Sequence, residues 1–508
     1  MSVYRAAQVR LSQPVRPELA QVCLPGPDES VLGKYARLRE QLGAFHAFDK
    51  AHILMLAEQR LLARDDAVAM LEVLRKVERD GVVEVRAETA ENMHSGEAIL
   101  TRELGSEVAG KLHLGRSSGD LLAVSFRLTL RGKLIALYQA GNKLRATLLD
   151  LAQAHIETVM PGYTHLQHAQ PITFAHYLLS MLSGLDRDGE RIRQFYSRLN
   201  LSPAGAAILV GSEFALDRER TADLLGFDGL ALNTRDAVWG RDLEIEAHAI
   251  ATLMAGNINR LAEDLMLWSA PEYGMLECAD GFCGTSSIMP QKKNPNALEC
   301  LKGLVATTSG MLVSAVVVHK NPSTVPVFEW IRALSDHWRS YDELIDGTML
   351  MDALLGSLQV HTSRMAQSAN AHWATAADLA GAMVRHAGVH WRAAHQIAGI
   401  TVRLALEAGR TPSQVDSGLI DQAARLFMNK PLSLDDEVIR DALDAHASVL
   451  RHELPGGPAP RRVREAIVVH QKLLDADKQW LLRSGQRLDA AAERLEAAID
   501  ALLGERRH

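Results

Sequence analysis

Three stretches of this chain gather histidine, hydroxyl, amide and cationic side chains among small residues, the ingredients of an anion site with proton-transfer groups. The longest, Gly281-Phe-Cys-Gly-Thr-Ser-Ser-Ile-Met-Pro-Gln-Lys-Lys-Asn-Pro-Asn-Ala-Leu-Glu299, puts Ser286, Ser287, Lys292 and Asn294 in a loop just upstream of a helical pattern. Helix-terminal amides, a lysine ammonium and an asparagine amide can all face a carboxylate there. The second stretch is Met160-Pro-Gly-Tyr-Thr-His-Leu-Gln-His-Ala-Gln-Pro171, and the third is His113-Leu-Gly-Arg-Ser-Ser-Gly-Asp120. Each also has a plain structural reading. Ser117, Ser118 and Asp120 suit the N-cap of a helix running on from Leu121. A single histidine such as His113 or His168 is more often a hydrogen-bonded structural group than a catalyst. No one stretch identifies a chemistry.

The elements that must position these stretches are helices. Three- and four-residue spacing dominates from Ser30 onward, and convincing period-two strands are absent. Residues 44–63 and 68–76 make early helices. Residues 134–159 carry Leu137, Leu144 and Leu151 seven apart, with Leu134, Gly141 and Leu148 on a second seam. Residues 244–268 align Ile250, Met254, Leu261, Leu265 and Trp268, and 297–318 form a third long segment. Long helices with such seams pack lengthwise in bundles. Shorter helices follow at 376–387, 391–407, 412–426 and 435–445. Beyond the Pro- and Gly-rich break at 455–460, residues 461–503 place Leu481, Leu488, Leu495 and Leu502 seven apart, the pattern of a helical hairpin or coiled tail. Pro14, Pro17, Pro25 and Pro27 make residues 1–30 an extended arm. The expectation is an all-α chain: an N-terminal helical domain (1–112), a central long-helix bundle (113–362) and a C-terminal helical domain with a tail (363–508).

Composition narrows the function classes. With 47% hydrophobic and 23% charged residues, the 508-residue chain can bury a large core. Its net charge of −7 is spread along the chain without a basic stripe, which argues against nucleic acid. Cys23, Cys278, Cys283 and Cys300 are too few for a disulfide framework and are not spaced as a zinc knuckle, which fits the reducing cytoplasm. The first ten residues lack an apolar signal core. The uncharged run 303–318 is too short to span a bilayer and reads as a buried helix, so no membrane partner is expected.

Taken together, the three stretches resemble the signature motifs of the fumarase/aspartase superfamily, and within it those of argininosuccinate lyases. Ser-Ser-Ile-Met-Pro-Gln-Lys-Lys-Asn-Pro (286–295) and Gly-Tyr-Thr-His-Leu-Gln-His-Ala-Gln-Pro (162–171) carry the likeness almost letter for letter. His-Leu-Gly-Arg-Ser-Ser-Gly-Asp (113–120) carries it with alterations. The similarity extends through Leu201-Ser-Pro-Ala-Gly-Ala206, 214–227, 260–268, 378–399 and Gly456-Gly-Pro-Ala-Pro460. The resemblance implies a three-domain, all-α subunit of a homotetramer whose active sites each take one motif from each of three subunits. It implies cleavage of a succinyl compound to fumarate by removal of a Cβ proton. By position, Ser286 is the base, and Lys292 and Asn294 bind the substrate carboxylate and its developing charge. His165 is the donor to the leaving amine or supports that donor. Thr164 offers a hydroxyl to a carboxylate, and Ser117, Ser118, Ser287 and His94 line the substrate. The substrate partner is a small dicarboxylate, and no step demands a metal or an organic cofactor.

The match fails at the other end of the substrate. The family writes Arg-Ser-Arg-Asn-Asp in its first motif, where this chain has Arg116-Ser-Ser-Gly-Asp120. Ser118 replaces an arginine and Gly119 an asparagine, so a charge and an amide are lost. After the long helix, the family word that helps hold the arginine portion is missing, and His319-Lys-Asn-Pro-Ser-Thr-Val-Pro-Val-Phe-Glu-Trp-Ile-Arg332 stands in its place. Trp239-Gly240 stands where Ser-Asp is usual. A pocket built for a guanidinium would keep its polar groups. The expectation is a carbon–nitrogen lyase for an N-substituted aspartate other than argininosuccinate, in a specialised pathway. The alternatives are a divergent argininosuccinate lyase and a non-catalytic helical scaffold.

Overall fold

A computed structural model describes residues 38–89, 92–320 and 336–504; the expected arm, Cys23 and most of 319–332 lie outside them. Helices α1 (Leu42–Glu58), α2 (Arg64–Asp80) and α3 (Ser95–Leu104) gather against the start of α4 (Ser118–Ala154). In α2, Ala67, Val68, Met70, Leu71, Leu74 and Val77 form the buried stripe, and Asp65 and Asp66 sit at its positive N-terminal end.

The α4 helix is the axis of the molecule. Its 37 residues span about 55 Å at ~1.5 Å per residue. The seam expected from Leu134 continues back through Leu121, Leu122, Phe126 and Leu130, all buried. Helices α5 (Phe174–Leu199), α6 (Asp242–Ser269), α7 (Asn296–Val318) and α8 (His337–Leu355) complete the bundle. The α5 and α8 helices pack along α4, while α6 packs along α7 and α5. Only 22% of the most apolar window of α7 is buried within the chain, and Val313, Val316 and Val317 are exposed. The run expected to be a buried helix is therefore longer than 303–318 and largely uncovered by its own chain.

Four C-terminal helices, α9 (Ala376–Ala387), α10 (Trp391–Glu407), α11 (Ser417–Met428) and α12 (Asp436–Leu443), close around a separate core of Leu379, Met383, Ile397, Ile420 and Ile439. The tail after Pro460 is neither a hairpin nor an independent coil. It is one 45-residue helix, α13 (Pro460–Gly504), that runs back along α4, α5 and the N-terminal helices. Its buried seam is Val463, Ile467, Leu474, Ala491, Leu495 and Ile499, which belong to the first core apart from Ala491. Of the four leucines spaced by seven, only Leu495 is fully buried. Buried Arg145 of α4 clamps it, its Nη1 donating to Asp477 at 2.6 Å and its Nε to Asp186 at 2.7 Å.

Among the described residues, strands do occur, against expectation, as three two-stranded ribbons: β1 (Val159–Thr164) with β2 (Gln167–Thr173), β3 (Leu276–Glu277) with β6 (Gln359–Val360), and β4 (Gly284–Thr285) with β5 (Lys293–Asn294). They decorate helix ends and leave the all-α class intact.

Asp477→Ala strips one of two carboxylates from a guanidinium buried at the α4–α13 contact. With Asp186 still paired, the cost is expected below the ~3–5 kcal/mol of an uncompensated buried charge. A urea melt is expected to show a lower midpoint with an unchanged slope; an unchanged midpoint would mean that α13 is held by apolar packing alone.

Candidate active site

The first motif enters α4 through a tight cap. Gly115 has φ +74°, where its hydrogen faces Ser212 and Leu216 and a Cβ would clash. Ser117 is the N-cap, with its oxygen accepting the Gly119 N–H and its own N–H donating to Asp120 Oδ1 at 2.9 Å. Ser117 is thus committed to the helix start, while Ser118 stands one residue further on. Asp120 also accepts the Ala207 N–H at 3.3 Å, and its burial outweighs these donors and raises its pKa to about 6.

Behind the cap lies a line of ionisable groups. Ser118 Oγ is 3.1 Å from His94 Nε2, His94 Nδ1 is 2.9 Å from His113 Nε2, and Glu97 Oε2 lies 3.0 Å from the same His113 nitrogen. Burial, then the nearby His113, hold the His94 pKa down at about 4, so it is neutral at ordinary pH. Arg116, the first arginine of the motif, turns away. It donates to Asp49 at 2.7 Å, and the other Asp49 oxygen accepts from Arg86 at 2.6 Å, all three groups being buried. Burial alone would raise the Asp49 pKa, but the two guanidinium groups outweigh it and pull it to about 2. Neither Asp49 nor Glu97 was singled out from the sequence. A carboxylate inside the apolar run of α1 was the available signal for Asp49, and the three-residue step from His94 was the signal for Glu97.

The second motif is the β1–β2 hairpin, which begins five residues beyond the last residue of α4. Thr164 pairs with Gln167, leaving His165 and Leu166 as a two-residue turn with φ of 56° and 57°. Both residues are left-handed, the arrangement of a type I′ turn that Asn-Gly adopts more easily. The turn is exposed, with Leu166 at 61%. Gly162 is required because a Cβ there would meet the Gln170 carbonyl at 2.6 Å. Tyr163 and His168 lean on Tyr273 and His372, and both strands pack on the helices Thr362–Ala369 and Ala445–Arg451.

The third motif is a flap. Gly284 pairs with Asn294 and Thr285 with Lys293, so residues 286–292 form its tip. Lys293 anchors the base through Glu277 and Asp280, both at 2.6 Å. Lys292 is exposed and, among the described residues, pairs with no carboxylate. Ser286 is half-buried, and its Oγ accepts the N–H groups of Ile288 at 3.3 Å and Met289 at 3.1 Å. Two amide donors aimed at one hydroxyl oxygen favour its anionic form. Ser287 is exposed beside it.

Within one chain these pieces occupy separate neighbourhoods. The first motif opens α4 and leans on the N-terminal helices, whereas the second follows the far end of α4, about 55 Å away. The third rests on the turn after α6, near the second motif's Tyr163 through Tyr273. One chain brings together His94, His113 and Ser118, but not these with Thr164 and His165.

A lyase family model matches residues 33–310, and a model of the argininosuccinate lyase C-terminal region matches residues 373–450. The argininosuccinate lyase of Methanocaldococcus jannaschii is 36% identical over 88% of this chain and 91% of its own length. That of Methanoculleus marisnigri is 38% identical over 88% and 90%. This chain belongs to the fumarase/aspartase superfamily, on its argininosuccinate lyase-like branch. Among solved structures in this superfamily, EDDS lyase in complex with formate superposes with a TM-score of 0.86 at 33% identity, covering 92% of this chain and 93% of that one. A class II fumarase from Schistosoma mansoni, 14% identical with a TM-score of 0.69, shares the fold. The superfamily frame agrees with the all-α class and the long-helix bundle expected from the seams.

Asp49 provides a check on the electrostatics under the first motif. Its folded pKa lies below the unfolded value of ~3.9, so the stability it contributes is complete above pH ~4 and is lost as pH falls toward 2. Asp49→Asn is expected to lower stability at neutral pH and to flatten the acid limb of a pH-resolved melt between those values. A parallel acid limb would show that other carboxylates set it.

Proposed function

We propose that this fumarate-forming C–N lyase acts on an N-substituted aspartate whose amine is not arginine. The observation that carries the reading is Ser286, set in the flap with two backbone amides on its oxygen. A Cβ–H beside a carboxylate is very weakly acidic, and an ordinary serine is a poor base. A serine whose alkoxide is held by amide donors, in a flap that excludes water when it closes, can take that proton. The electrons move into the adjacent carboxylate, and the resulting aci-carboxylate dianion is met by Lys292 and Asn294. As the Cα–N bond breaks, His165 protonates the amine or supports its donor, and Thr164 holds a carboxylate. Fumarate and the free amine leave.

The three motifs act together only across subunits. Their separation along α4 and the uncovered apolar face of α7 both support a homotetramer in which several chains share one site. Ser118 and Gly119, in place of an arginine and an asparagine, support a changed amine. The names of the curated relatives favour a second reading, a divergent argininosuccinate lyase. EDDS lyase, a C–N lyase releasing fumarate, favours the first.

Loss of fumarate absorbance with a panel of amines separates these readings. Wild type is expected to consume fumarate with at least one amine, and Ser286→Ala to lose the activity by about 10³-fold or more, as removal of an essential proton-transfer group does. Turnover of argininosuccinate at ordinary enzymatic rates would establish the second reading. Complete inertness would leave a helical scaffold. In a separate experiment, Ser286→Ala and His165→Ala chains are mixed under conditions that exchange subunits. Recovered activity is expected, because some reassembled sites contain both wild-type residues; none despite proven exchange would mean that each chain builds its own site.

A further inference from the structure

The line of groups behind the first motif brings two imidazoles and a carboxylate together on firm supports. His94, Glu97 and His113 each bring one ligand atom within 4.8 Å of the other two. His113 Nε2 faces both of the others, at 2.9 Å and 3.0 Å. A ring nitrogen carries at most one proton, so it serves two acceptors only by sharing a weakened bond. A cation among the three could take one ligand atom from each.

We propose that His94, Glu97 and His113 bind a divalent transition-metal ion. Two of the separations, 2.9 and 3.0 Å, are close to the edge of a coordination shell whose bonds are ~2.0–2.2 Å long, and the third, within 4.8 Å, closes as the ion is bound. Two imidazole nitrogens and one carboxylate suit Zn²⁺, Co²⁺ or Ni²⁺ better than Mg²⁺ or Ca²⁺. The ligands sit on firm supports: Glu97 is buried in α3, His94 is its N-cap, and His113 ends a short 3₁₀ turn that leads into α4. With Nδ1 on the ion, His94 turns Nε2–H toward Ser118 Oγ at 3.1 Å, the outer hydrogen bond that fixes metal-bound imidazoles. Arg116 brings positive charge nearby, but its guanidinium is held by Asp49 at 2.7 Å.

Ser118 gives the site its meaning, on the reading proposed above. It stands where the family pattern has an arginine, and an ion ligated by its hydrogen-bond partner restores positive charge beside that position. An arginine there would repel the same ion. The loss of the guanidinium and the presence of the ligand set are then two sides of one exchange.

The test uses the full chain, stripped with a chelator, titrated with Co²⁺ alone and without substrate. Wild type is expected to take up one Co²⁺ per chain with the visible absorption of a histidine-ligated ion. Glu97→Gln and His113→Ala are expected to lose that absorption. Ser118→Ala, which removes only the outer partner, is expected to weaken binding by about tenfold. His372→Ala, outside the cluster, should titrate as wild type. Circular dichroism establishes that each variant is folded, and if His113→Ala is not, Glu97→Gln and Ser118→Ala decide. No stoichiometric uptake by wild type, or equal uptake by folded Glu97→Gln, overturns the site. Because no substrate is present, either result leaves the proposed lyase reaction to its own experiment.

Discussion

A hydrogen-bonded rod cannot fold back on itself, and α4 is such a rod. Its 37 residues continue without a break from the Ser117 cap to His155. Everything else in the molecule answers to that length. The N-terminal helices close one end, the hairpin and the base of the flap occupy the other, and the buried leucines between them keep the two ends apart. A dicarboxylate a few ångströms across cannot touch both ends of one chain. On the proposed reading, the helix that supplies the core also keeps a lone chain from assembling its own chemistry.

Local pattern predicted well what depends on local pattern. The seams through Leu137, Leu144, Ile250 and Leu261 mark helices because burial on one face repeats every three or four residues. The hairpin was hidden: Pro161, Gly162 and Pro171 punctuate it like a loop, and a His-Leu turn is not a usual hairpin signal. The leucine series in the tail suggested a coil, yet α13 buries Val463, Ile467 and Leu474 against a surface that only the folded bundle creates. At the site, the resemblance points to Lys292 of two adjacent lysines, but residue type alone gives no physical reason to prefer it to Lys293. Geometry separates them, tying Lys293 to Glu277 and Asp280 and leaving Lys292 at the flap tip. The Asp49 cluster was out of reach because its arginines lie 37 and 67 residues away.

Charge is managed differently at the two ends of the rod. At the first motif it is buried and paired: Asp49 sits between Arg86 and Arg116, and Glu97 faces His113. Such groups hold their positions because moving one leaves another uncompensated in a dry interior. At the flap, Lys292 is exposed and Ser286 half-covered. On the proposed reading, the fixed end suits selection of a substrate's variable portion, and the exposed end suits a step that begins only when water is excluded.

The left-handed turn at His165 and Leu166 has a cost that the rest of the fold must carry. Non-glycine residues in that region are each disfavoured by about 1–3 kcal/mol, and asparagine followed by glycine would relax both. Directed evolution for heat resistance would therefore be drawn to these two codons early. The variants it enriched would be sturdier and, on the role proposed for His165, chemically poorer: durability and turnover would compete at a single tight bend.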